Sequence, residues 1–145
     1  MAGPAETLSF VARRLIQFES RFAQAAASRK REAAALFSRV SSSLQGLSAD
    51  LQRDQVPHEA CRELALYSTR LKDCTAEEIG PAEAEKLAKA MGESSDKERL
   101  FLQYRSAEDK RAITEELEKA AILIQALANG LGAAQSPYPG NGLLP

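Results

Sequence analysis

Histidine, the commonest acid–base side chain near neutral pH, occurs once, as His58. Cysteine occurs twice, at Cys61 and Cys74, and tryptophan not at all. One histidine leaves little room for a histidine-based catalytic centre or zinc site. His58 and Cys61 lie three apart and could share a helix face, but Cys74 is thirteen residues further, about 20 Å along a continuous helix, too far to join them on one metal. No orienting group or oxyanion donor is signalled beside the Cys61–His58 pair, so a nucleophile pair is not expected either. Two thiols do not make a disulfide framework, and a reducing compartment is the default.

Other absences narrow the class further. Aromatic residues are 6% of the chain, and β-branched residues are scarce, which disfavours a sheet. No apolar run approaches the roughly 18 residues a membrane span requires, and no secretory leader is evident. A cytoplasmic location is expected. The first thirty residues have the amphipathic, Arg- and Ser-rich make-up of a mitochondrial presequence, but Glu6 and Glu19 count against it. No Gly-rich phosphate loop occurs, since Gly130-Leu131-Gly132 has neither a following glycine nor a preceding strand. The paired carboxylates Glu77/Glu78, Glu108/Asp109 and Glu115/Glu116 are sequence neighbours, pointing about 100° apart on a helix, and read as solvated faces. No cofactor and no metal are expected.

What remains is a helical pattern. Of the 145 residues, 44% are apolar and 27% charged, values ordinary for a globular protein. Net charge is −1 but unevenly placed: residues 1–54 carry eight basic and five acidic side chains, residues 55–145 eleven and fifteen. A basic first part facing an acidic second part favours antiparallel docking within one molecule.

Between Pro4 and Pro57 the only strong helix breaker is Gly46. Leu8, Val11, Leu15, Phe18, Phe22 and Ala25 alternate at threes and fours, a heptad stripe. Ala33, Phe37, Val40, Leu44, Leu47 and Leu51 form a second stripe. The eleven-residue step from Phe22 to Ala33 is the spacing of a stutter. The pattern predicts one long helix over 6–54, about 70 Å if continuous, or two collinear helices hinged near Arg29–Arg31. Ala60, Leu64, Tyr67, Leu71 and Cys74 mark a helix over 57–74, ended before Gly80-Pro81 by what looks like a capping box at Thr75–Glu78. Ala84, Leu87 and Met91 mark a short helix over 81–91, stopped by Gly92. A second capping box, Ser95–Glu98, opens a helix over 96–128 closed by Asn129-Gly130. Residues 130–145, rich in glycine and proline, are expected to be disordered.

The expected fold is therefore all-α: one domain over 1–129, an elongated antiparallel three-helix bundle or coiled coil with a long first helix, a broken middle helix and a disordered C-terminal tail. The later helices are shorter than the first, so part of its apolar stripe should stay uncovered and seek another chain. This predicts a non-enzymatic helical adaptor or structural subunit, of the kind found in trafficking or cytoskeletal assembly. It would bind partner helices, or itself, through Leu8, Val11, Leu15, Phe18 and Phe22, with Leu100 and Tyr104 as further anchors. The alternative is a membrane-surface protein using Arg13, Arg14, Arg21, Arg29, Lys30 and Arg31 to meet an anionic partner. That cluster is small for a lipid-binding stretch, and nucleic-acid binding is not expected. Arg39-Val40-Ser41-Ser42 and Ser136-Pro137 are possible kinase sites. Phosphate at Ser41–Ser43 would place negative charge beside the second stripe.

Overall fold

The computed structural model describes residues 3–132. They form seven helices: α1 (Pro4–Ile16), α2 (Glu19–Ala23), α3 (Ala27–Gln52), α4 (His58–Ile79), α5 (Pro81–Ser94), α6 (Lys97–Ser106) and α7 (Lys110–Gly130). The chain is all-α, but the expected three-helix bundle or coiled coil is not what forms. The largest packings are α3 on α7 and α4 on α5, with α1 against α7 and α5, and α3 against α4.

Two breaks replace the single long helix over 6–54. Phe18 opens α2 with φ −102° and ψ 16°, and Ala26 is extended, with φ −59° and ψ 151°, before α3. Neither break holds a glycine or proline, so local sequence did not announce them. Tertiary burial outweighs propensity here. Leu8, Val11 and Leu15 are each at most 2% exposed, and burying three such side chains contributes about 6 kcal/mol. Two uncapped helix starts cost about 1 kcal/mol each. The chain therefore turns at 17–26, and α1 lies against α5 and α7 instead of continuing into solvent. Phe22 folds back on Phe37 in a T-shaped pair, ring centroids 5.4 Å apart.

The other boundaries shift for visible reasons. The Thr75–Glu78 capping box does not start a helix; Thr75 Oγ1 instead donates to the Leu71 carbonyl within α4 at 2.7 Å, and α4 runs to Ile79. Gly80, with φ 93°, ends α4 and precedes Pro81 at the first turn of α5. Gly92 is not a stop. It lies inside α5, where an added Cβ would come within 3.1 Å of Ser68 Oγ, so it permits the close approach of α4 and α5. The helix expected over 96–128 is two: Asp96 caps α6 by accepting from the backbone N–H of Glu98 and Arg99, and Asp109 caps α7 by accepting from Arg111 and Ala112. The six-residue step from Ala107 to Ile113, out of phase with a helical stripe, marks that break. Gly130 ends α7; of the tail expected to be disordered, residues 133–145, with Ser136, lie outside the described residues.

Cross-helix contacts fix the directions. Ser41 Oγ donates to the Ala121 carbonyl at 2.8 Å and Ser48 Oγ to Glu118 at 3.2 Å, so α3 and α7 are antiparallel. Arg29 meets Glu78 and Ser43 meets Glu63, so α3 and α4 are antiparallel. Lys72 meets Glu85, the mark of an α4/α5 hairpin. Lys86 lies over the Phe10 ring and Arg14 meets Glu83, so α1 runs antiparallel to α5. Arg13 meets Glu116, and Glu19 approaches Gly130, so α1 runs in the same direction as α7. The α3–α4–α5 series and α7 thus alternate in direction, and α1 packs between α5 and α7.

Candidate functional site

The residues expected to bind partners are placed in the core. Leu8, Val11, Leu15, Phe22 and Leu100 are at most 2% exposed, Tyr104 is buried, and Phe18 is half-buried against the core. Six of the seven are thus covered by the chain's own helices. The premise of an uncovered stripe on the first segment does not hold, because the breaks at 17–26 let α1 lie down on α5 and α7.

Part of the basic cluster is engaged by the chain's own helices. Arg13 Nη1 donates to Glu116 at 3.1 Å and to Ser9 Oγ at 2.9 Å. Arg14 Nε donates to Glu83 at 2.8 Å and its guanidinium lies 5.0 Å from the Phe18 ring centre. Arg21 reaches the Glu78 carbonyl at 3.5 Å. Arg29 is the most engaged: it donates to both carboxylate oxygens of Glu78, at 2.7 and 2.9 Å, approaches Glu77 at 3.4 Å and donates to the Asp73 carbonyl at 3.4 Å. Among the described residues no ion pair involves Lys30 or Arg31. The charge asymmetry of the sequence is therefore expressed in part as helix-to-helix pairing: in the pairs of Arg13, Arg14 and Arg29, α1 and α3 supply the cations and α4, α5 and α7 the carboxylates, whereas Lys72–Glu85 and Arg105–Asp54 take their cations from α4 and α6.

The electrostatics follow. Hydrogen bonds from Arg29 hold the Glu78 carboxyl below its ordinary range, against the opposing effect of burial. Arg14 does the same to Glu83. Both carboxylates are fixed as anions and are poor proton donors near neutral pH. An open depression of about 420 Å³ lies at this end, lined by Arg21, Gln24, Ala25, Ala26, Arg29, Glu77 and Glu78; its charges already satisfy one another.

His58 and Cys61 do share a depression, with Arg62, Ser95 and Asp96. Cys61 is buried, and loss of hydration pushes its thiol up to about 12. A thiol so raised is no nucleophile at neutral pH. Cys74 is raised for the same reason. Both are free thiols. Among the described residues no three His, Cys, Asp or Glu side chains are grouped to hold a metal ion. No helix there is long and apolar enough to cross a membrane. Of the serines weighed as kinase sites, Ser41 and Ser43 are buried and Ser42 is exposed.

Sequence reasoning passed over four side chains that the fold leaves in solvent: Phe10, Leu66, Leu102 and Ile122. Each falls outside the stripe of its own helix, and that is the signal that could have found them. Two of them, Phe10 and Leu102, lie on helices that meet. Phe10 stands one turn beyond Glu6 on α1, and Glu6 accepts a hydrogen bond from Gln103 of α6 at 2.7 Å. Gln103 also accepts from the Ala5 backbone N–H at 3.2 Å, and Leu102 is its neighbour in sequence. α1 and α6 thus meet through a polar seam, and each helix carries a solvent-facing apolar side chain: Phe10, over which Lys86 of α5 lies, and Leu102, which is 65% exposed. No family model, no curated protein and no solved structure matches the chain.

Proposed function

We propose that the chain is a non-enzymatic helical subunit that binds partner proteins through the α1/α6 surface around Phe10 and Leu102. The observation that supports it is the state of the reactive groups. The thiols are desolvated, and the best-placed carboxylates are tied to arginines across helix interfaces. These groups serve packing, which leaves the surface as the means of action. A partner helix presenting apolar residues at i and i+3 or i+4 suits a face with two separated apolar anchors. Nothing in the fold singles out trafficking or cytoskeletal assembly, so the proposal stops at a partner helix in a multiprotein assembly. Membrane-surface binding gains no support, because Arg13, Arg14 and Arg29 are neutralised by glutamates of their own chain.

The test is affinity purification from the native cell with Phe10→Asp/Leu102→Asp, compared with Leu66→Asp/Ile122→Asp. Both pairs alter solvent-facing positions and should fold with near-wild-type stability, as surface changes usually do. The first pair is expected to lose the partners that wild type retains, and the second to keep them. Retention of every partner by the first pair would remove the surface from consideration.

A further inference from the structure

The segment joining α1 to α3 is made of the wrong residues for a turn. Ala23, Gln24, Ala25, Ala26 and Ala27 are strong helix formers in any host, yet the backbone leaves helical geometry at Ala26. Phe18 and Ala26 open α2 and α3 without a side-chain cap, as α1, α4 and α5 are opened, but also without the proline that begins α1 and α5. Residues 17–27 contain no glycine and no proline. Local preference and global fold conflict here, and such conflicts concentrate where a chain has a second use.

Straightening this elbow would give the uncapped N–H groups helical partners and swing α1 off its own α5 and α7. The released helix could not stay bare, since Leu8, Val11 and Leu15 are at most 2% exposed when docked. The surface it vacates is specific, with Glu83 and Glu116 placed to receive Arg14 and Arg13. The segment that matches it in shape and charge is α1 of a second copy. Direction agrees. In the monomer α1 runs antiparallel to α5 and so in the opposite sense to α3; once straightened it runs in the same sense as α3. A second copy related by a two-fold axis perpendicular to α3 presents its vacated surface reversed, and so accepts the incoming helix in the native orientation.

We propose that residues 17–27 are a hinge through which two copies of the chain exchange α1, each half of the dimer keeping the α1 packing of the monomer while Phe22 leaves its contact with Phe37. Exchange of an identical element is a low-cost route to a symmetric dimer. It replaces one set of α1 contacts by an equivalent set and sets the helix gained across the elbow against the Phe22 and Arg21 contacts of α2 that straightening gives up.

Ala27→Pro separates the two arrangements. Ala27 is the exposed first residue of α3, where proline is well tolerated, and Ala26 already has the extended backbone favoured before proline. The substitution suits the bent elbow and breaks a straight one. Ala25→Gly/Ala26→Gly is the second variant, disfavouring the straight helix by propensity alone. Each full-length protein is refolded from denaturant at high and at low protein concentration, and its mass is measured by light scattering on a sizing column. Wild type should give a species of twice the monomer mass whose share rises with refolding concentration and which returns to monomer slowly after dilution. Both variants should cut that share at least about tenfold, with the helical circular dichroism of wild type. A wild type that is monomeric at every concentration, or variants that dimerise as well as wild type, would overturn the exchange and leave the α1/α6 surface unaffected. If Ala27→Pro does not fold, the glycine pair decides.

Discussion

Leu15→Asp is expected to unfold the protein rather than to strip a folded protein of its partners. Leu15 is 2% exposed on the inner face of α1, between α5 and α7. An aspartate there loses the apolar burial of leucine and must either remain ionised without a partner or take up a proton. Together these cost about 4 kcal/mol or more. Domains of this size have total stabilities of about 5–15 kcal/mol, so the variant should sit at the edge of its unfolding transition at room temperature. Phe10→Asp, five residues away on the same helix but 39% exposed, should shift stability by about 0.5 kcal/mol. Urea titrations followed by circular dichroism compare the two directly. A Leu15→Asp midpoint equal to that of wild type would mean that α1 is not docked as described.

Arg29→Ala should be the most costly of the charge removals, and its effect should depend on pH in a defined direction. The Glu78 side chain is 6% exposed and that of Arg29 23%, so truncating the arginine leaves a carboxylate out of water with no cation. The expected loss is about 2–4 kcal/mol near neutral pH. Arg53→Ala removes an exposed pair with Asp50 and should cost less than about 1 kcal/mol. In wild type, Glu78 is held below its ordinary value of 4.5 by hydrogen bonds from Arg29. A lowered carboxyl stabilises the fold above its unfolded-state value and loses that contribution as pH falls through its folded value. The gap between wild type and Arg29→Ala should therefore be widest above about pH 5 and narrow as pH drops below about 4.5. Stability curves of both proteins between pH 3 and pH 7 check this. A gap that is constant across that range would show that the pair contributes through packing alone.

Burial pattern was legible where periodicity was strong. Phe37, Val40, Leu44, Leu47 and Leu51 on α3, Leu64 and Leu71 on α4, and Leu87 and Met91 on α5 are read from spacing and lie in the core. The α4 boundary at Gly80-Pro81 was legible because a positive φ and a proline coincide there. The elbow at 17–26 was not, since its residues favour helix and only the long-range burial of α1 bends the chain. The break at 107–109 had a readable signal in Asp109 and in the phase jump from Ala107 to Ile113. The expected exposure of the first stripe fails for the same reason as the elbow: an unbroken first helix would have left Leu8–Phe22 bare, and a bent one covers most of it. The arginines illustrate a related limit. Sequence places Arg13, Arg14, Arg21 and Arg29 close together, but only the packing of α1 and α3 on the later helices shows that Arg13, Arg14 and Arg29 pair with Glu116, Glu83 and Glu78.

Hydrogen exchange on the dilute monomer reads the docking of α1 most directly. If the first helix is sheltered by α5 and α7, the amides of Leu8 to Leu15 should exchange at rates within about tenfold of those of Leu117 to Ile124, a difference of roughly 1.4 kcal/mol in opening free energy. Exchange of the α1 amides at the rate of an isolated peptide, with α7 still protected, would contradict the account at its base.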